Sequence, residues 1–170
     1  MRLILFRHAK SSWKQPQLAD HDRPLSKRGE RDAPMMGARL ADRGARPAAI
    51  LSSTAERALA TARHVADALD VPGDTVRSSR RLYVAGALQI LRFITEQPGE
   101  WPELIVVGHN PGFTELANLL LPDIGLDNLP TAGCVAMEFP VHDWSDIGLS
   151  PATLLYLDYP KKPQRISQKQ

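Results

Sequence analysis

Arg7 and His8 close the first apolar run of the chain, "LILFRHAKSSW" at residues 3–13, and a lysine and two hydroxyls follow them. Single Arg and His residues at strand ends are common, so the pair alone has two readings, a reactive site or a solvated strand end. Arg57 lies just beyond a second apolar run, "AAILSS" at 48–53, and His109 ends a third, "ELIVVGH" at 103–109. Two arginines can grip a phosphoryl group with forked donors. One histidine can attack phosphorus and carry the group covalently, and a second can donate to the oxygens as charge develops on them. These residue types together fit phosphoryl transfer without a metal.

Distant residues converge only if the elements between them bring them together. Residues 2–7 read as a short buried strand, 48–53 as a second and 103–109 as the strongest in the chain. A weaker strand is expected near 76–78, and β-rich runs at 132–139 and 152–158 close the chain. Between them the spacing predicts helices. One runs from about Ser26 to Arg43, with Ser26 as N-cap and Gly44 as stop, and Pro34 inside it predicts a kink or break. A second begins after Ser53, which has capping-box spacing to Glu56, and a third covers roughly 86–97. The last follows His109, with Pro111 near its first turn. Alternating strands and helices predict an α/β fold, a three-layer α/β/α sandwich on a mostly parallel sheet. In such sheets ligands bind beyond the carboxyl ends of the strands, where Arg7, His8, Arg57 and His109 all fall. The helix N-termini after Ser53 and His109 would favour an anion there.

"FRHAKSSW", "SSTAERALATA" and "VVGHNPG" resemble, in order, the three signatures of the histidine phosphatase superfamily, the phosphoglycerate mutase-like fold. The short chain and "DHDRPLSKRG" are most similar to its SixA branch of phosphohistidine phosphatases. The resemblance covers roughly residues 1–158, read as one domain, with 159–170 a basic tail. It implies that His8 is the phosphorylated nucleophile and that Arg7, Arg57 and His109 form the phosphate pocket. Ser11, in the loop after His8, and Asn110, beside His109, are further candidates for substrate contact.

Two departures stand out. The family's Arg-His-Gly is here Arg7-His8-Ala9, so the turn must be one that alanine can adopt. Mutase-like relatives take a general acid from a glutamate between the second and third helices, yet residues 75–95 contain no Asp or Glu. Asp20, with Asp22 second, is the candidate replacement; the competing reading of both is a solvated turn carboxylate. A phosphorylated imidazole leaves in a more neutral form than an alkoxide and depends less on an enzyme acid. The missing glutamate therefore favours phosphohistidine in proteins over sugar phosphates. The alternatives are a small-molecule phosphomonoesterase of the same fold and a non-catalytic phospho-ligand binding module.

The chain has 170 residues, 43% hydrophobic and 24% charged, ordinary for a globular protein. Lys and Arg outnumber Asp and Glu eleven to five over 1–46, whereas 93–160 holds ten acids and no Lys or Arg. The basic residues lack interleaved aromatics, so the asymmetry points to an anionic substrate such as a phosphate ester and not to nucleic acid. No membrane span or signal peptide is read in the sequence, and a single cysteine, Cys134, makes no intrachain disulfide, so a cytoplasmic location is expected. Cys134 reads as a small core residue, since Pro140 stands where a cysteine phosphatase would need its arginine. No cofactor is expected. His8, Asp20, His21, Asp22 and His109 include metal-ligand types, but paired arginines beside a cation would oppose it electrostatically. Trp13, Trp101 and Trp144 are expected in loops.

Overall fold

Alternate residues of the first strand face opposite sides of a sheet, and both sides are apolar. In the computed structural model, which describes residues 1–148 and 151–163, β1 (Arg2–Arg7) sends Leu3 and Leu5 into one core and Ile4 and Phe6 into another. The same alternation divides β4 (Glu103–Gly108), with Leu104 and Val106 opposite Ile105 and Val107. Strands apolar on both faces must be covered on both, and helices cover them. The remaining strands are β2 (Ala49–Ser53), β3 (Val76–Ser79), β5 (Cys134–Glu138) and β6 (Thr153–Asp158). Their order is β3-β2-β4-β1-β5-β6. The first four run parallel, and β5 and β6 add an antiparallel edge.

On one face lie α1 (Lys27–Asp42) and α2 (Glu56–Ala68), which contribute Met36, Leu40, Ala62 and Val65 to the core they share with Ile4 and Phe6. On the other, α3 (Ala87–Thr95) and α4 (Gly112–Leu120) bring Ile90, Ile94, Phe113 and Leu116 against Leu3 and Leu5. Each fully buried Leu, Ile, Val, Phe or Met among these contributes roughly 1.5–3 kcal/mol. This is the three-layer α/β/α sandwich expected. Of the tail, residues 164–170 lie outside the described residues.

Three local expectations need revision. Of the kink or break expected at Pro34, the break does not occur, and α1 continues through it to Asp42. A mid-helix proline costs about 3 kcal/mol, and burial of Ala33, Met36 and Leu40 along one face of α1 offsets it. Trp144, expected in a loop, lies fully buried in a short 3-10 turn, its Nε1–H donated to the Trp101 carbonyl. Ser53 does not cap α2, because Ala55 holds the N-cap position. The Ser53 hydroxyl instead accepts from the Ala55 amide at 3.2 Å.

Ser26 does cap α1, accepting from the Gly29 amide at 3.1 Å. A side chain at Gly29 would drive into the Lys10 carbonyl oxygen, so this glycine lets α1 close against the loop after β1. Gly112 plays the same part at the start of α4, where a Cβ would meet the Ala85 carbonyl. Both close approaches frame the carboxyl ends of β1 and β4.

Candidate active site

His8 follows β1 directly. Its amide donates to Gly108 O at 3.0 Å and its carbonyl accepts from the Ala132 amide at 3.1 Å, so backbone bonds on two sides fix the position of the ring. Ala9 is buried and is not among the residues of positive φ, so the turn is one that alanine adopts. The His8 Nδ1 lies 2.8 Å from Ala9 O. A carbonyl can only accept, so Nδ1 carries the proton and Nε2 keeps its lone pair. That lone pair faces the Arg57 Nε–H at 3.3 Å. Burial pushes His8 down to about 3, against the opposing Ala9 bond and with the nearby His109, Arg57 and Arg7 adding to it. The ring is therefore a neutral base at physiological pH.

Arg57 sits in the first turn of α2, buried, with its guanidinium fanned across the site. Besides His8, it donates from Nη1 to the Asp20 carbonyl, from Nη2 to Asp20 Oδ2 at 3.0 Å, and from Nη2 to His109 Nδ1 at 3.4 Å. Beneath it the Thr61 hydroxyl donates to Arg57 O at 2.7 Å and accepts from the Ala9 amide at 3.0 Å. One hydroxyl thus ties α2 to the loop that follows His8.

His109 comes immediately after β4, its ring centroid 5.1 Å from that of His8. Because Nδ1 accepts from Arg57, the proton sits on Nε2 and is donated to Ser53 Oγ at 2.8 Å. Burial, with the charge of Arg57 second, pushes its pKa down to about 4. Arg7 completes the group. Its Nη1 donates to Leu129 O at 2.7 Å, and its buried Nε–H has no partner among the described residues. An unpaired buried N–H is costly, and an anion lodged beside Arg7 would relieve it. Arg7, His8, Arg57 and His109 lie near one another beyond the ends of β1, β2 and β4.

The other candidates are placed less uniformly. Asp20 reaches the site and Asp22 does not: the Asp22 side chain is exposed and, among the described residues, pairs only with His21. Asp20 Oδ2 takes the Tyr83 hydroxyl at 2.8 Å as well as Arg57, while Oδ1 takes Arg23 at 3.1 Å. Desolvation pulls its pKa upward, but these donors outweigh it and hold the carboxyl below the ordinary aspartate range. Asp20 is thus ionised in the resting site. Ser11 gives its hydroxyl to a bond from Arg23 Nη2. Asn110 donates to Asn128 Oδ1 and Leu129 O, both at 3.0 Å, and accepts from the Thr114 amide and hydroxyl. Both are therefore committed to protein partners. Asn110 holds the segment whose carbonyl receives Arg7. Among the described residues no three His, Cys, Asp or Glu side chains meet as a metal ligand set.

Several participants escaped the sequence. Tyr83, on the acid-free segment 75–95, stands edge-on to His109 at 5.6 Å and to His21 at 4.9 Å. Ser53 orients His109. Arg23 lies 3.3 Å above the Trp13 ring, buried, and anchors both Asp20 and Ser11. Its place in "DHDRPLSKRG" was the one signal available for it.

Known proteins resemble this chain in sequence and in fold. The sequence profile of the histidine phosphatase superfamily (branch 1) matches residues 3–82. An uncharacterized protein of Mycobacterium tuberculosis is 35% identical over 166 residues, covering 91% of this chain and 99% of the relative. Among solved structures, a candidate phosphohistidine phosphatase SixA from Agrobacterium tumefaciens superposes with a TM-score of 0.80 at 27% identity, over 94% of this chain and 97% of the other. The protein histidine phosphatase SixA complexed with tungstate gives 0.79 at 20% identity, over the same shares, and so speaks to the fold alone. No helix among the described residues is long and apolar enough to cross a membrane. From its signatures, its fold and the residues gathered at its strand ends, this chain belongs to the histidine phosphatase superfamily and is of the SixA type.

Proposed function

We propose that this chain is a phosphatase working through a phosphohistidine on His8 without a metal, and that its substrates are phosphorylated imidazoles, phosphohistidine in proteins first among them. The observation that carries the reading is the state of His8: a neutral ring, Nδ1–H bound to Ala9 O, Nε2 lone pair directed at Arg57. Such a nitrogen is ready to attack phosphorus without prior deprotonation.

In this reading Arg57 and Arg7 hold the phosphoryl oxygens and Nε2 attacks in line. The bond from phosphorus to the leaving group breaks, and its electron pair departs with that group. His109 is neutral at rest, with Nδ1 an acceptor. A phosphoryl dianion supplies the counter-charge that lets Nδ1 take up a proton and donate to an oxygen in turn. The ionised state of Asp20 and the acid-free segment 75–95 favour a leaving group that needs no proton from the enzyme. A ring-protonated phosphohistidine meets that condition, since it departs as neutral imidazole. The likeness to structures named SixA supports the same substrate class.

The test is kcat/KM on a phosphohistidine peptide beside a panel of sugar phosphates, with EDTA present throughout. The expected preference for the peptide is about 10²-fold or more, the lower end of what a general acid is worth to an alkoxide leaving group. Vanadate should inhibit and EDTA should not. The reverse ranking would assign the chain as a small-molecule phosphomonoesterase, and absence of turnover on every substrate would leave a binding module.

A further inference from the structure

Asp20 occupies a position for which the first chemical step has no use. Its side chain is half exposed whereas His8 is buried, so it stands where solvent reaches the site. Arg57 spans the two: Nε faces His8 Nε2 at 3.3 Å, and Nη2 holds Asp20 Oδ2 at 3.0 Å. A phosphoryl group attached to Nε2 and seated on Arg57 therefore meets the carboxylate at its outer, solvent-facing edge. The groups facing Asp20 are Arg23 from its own loop, Arg57 from α2, Tyr83 from the segment before α3, and His109 beyond β4.

We infer that Asp20 is the general base of the second step, taking a proton from the water that hydrolyses the phosphoenzyme, and that it is not the acid of the first. The inference rests on the phosphohistidine mechanism proposed above. Donors from Tyr83, Arg57 and Arg23 keep the carboxyl ionised at rest, so it has no proton to give a departing group. When the phosphoryl group claims Arg57, Asp20 keeps Tyr83 and Arg23 but loses its closest cation and faces a new anion. Both changes raise its proton affinity at the stage where a base is required.

In that step the water oxygen forms a bond to phosphorus while the phosphorus–Nε2 bond breaks, and its electron pair returns to Nε2. One water proton passes to Asp20. The products are neutral His8, still protonated on Nδ1, hydrogen phosphate, and a protonated Asp20 that releases its proton to solvent. Tyr83 and Arg23 are positioning residues, since both act through the carboxylate.

The experiment uses the full chain with N-phosphoimidazole as phosphoryl donor, following imidazole release and acid-labile, His8-linked phosphate by rapid quench. For Asp20→Asn the first burst of imidazole should keep its wild-type rate within about threefold, which also shows that the variant is folded. Steady-state turnover should fall by about 10²–10⁴-fold, the usual worth of a general base, and phosphate should accumulate on His8 towards one per chain. Asp20→Glu should recover part of the turnover. If the burst slows in step with turnover and His8 carries no extra phosphate, Asp20 serves the first step or the fold, and the inference is overturned. If wild type forms no His8-linked phosphate at all, the phosphohistidine mechanism itself fails and takes this step with it.

Discussion

The pocket has two sides built in different ways. His8 and His109 follow β1 and β4 without an intervening residue, and backbone bonds from neighbouring strands or the β5 approach hold His8 in place. Asp20 and Tyr83 project from irregular segments and are held by side-chain bonds to Arg57, Arg23 and each other. The buried side of the site is thus set by the sheet, and the side that meets solvent is set by loops. Sheet geometry tolerates little local adjustment, whereas a loop held by side-chain bonds is freer to shift and, in the proposed cycle, would release Arg57 and take it back.

The comparison can be challenged first where the largest effect is expected. Arg57→Ala removes the one residue common to both sides. It should lower kcat/KM by about 10²–10³-fold, as loss of a transition-state donor does, and weaken vanadate binding in parallel. A much smaller loss would mean that the two sides work independently.

The strand-end side also has a signature in stability. His8 and His109 titrate at about 3 and about 4 in the folded chain against 6.5 for an ordinary histidine. Between those values the unfolded chain binds protons that the native one refuses, so stability is fully present above 6.5 and is lost as the pH falls towards 4. The expected slope approaches about 1.4 kcal/mol per pH unit for each histidine. Denaturant melts across this range measure it, and a flat profile would contradict two buried neutral rings. His8→Gln should remove one histidine's share.

The loop side should give the smallest change. Tyr83→Phe deletes one donor to Asp20 and leaves the ring against His109. Turnover should fall by less than about tenfold, in keeping with one hydrogen bond, with KM for the phosphoryl donor nearly unchanged. A loss as large as that of Arg57→Ala would erase the distinction between the two sides.

The same division explains what could be read without coordinates. Apolar runs at 2–7, 48–53 and 103–109 announce buried strands, and residues at their ends inherit a predictable position, so Arg7, His8, Arg57 and His109 were legible together. Tyr83 was not, because a lone aromatic in an irregular segment has no periodicity to place it. Ser53 was misread for a different reason. Its spacing to Glu56 satisfies a capping rule, but His109 donates to its hydroxyl across 56 residues of sequence, and no local pattern records such a partner. Pro34 shows the converse: a strong local rule gave way to the core formed between α1 and α2.

The fan of bonds around Arg57 has one more consequence. With Asp20 already against its guanidinium, the pocket holds a tethered counter-ion, and an arriving phosphoryl group exchanges one anion for another. In the proposed cycle the guanidinium would not be left bare in a buried place, and the returning carboxylate would compete with inorganic phosphate. In the proposed phosphatase such an exchange would weaken product binding and speed its release, at the expense of tight capture.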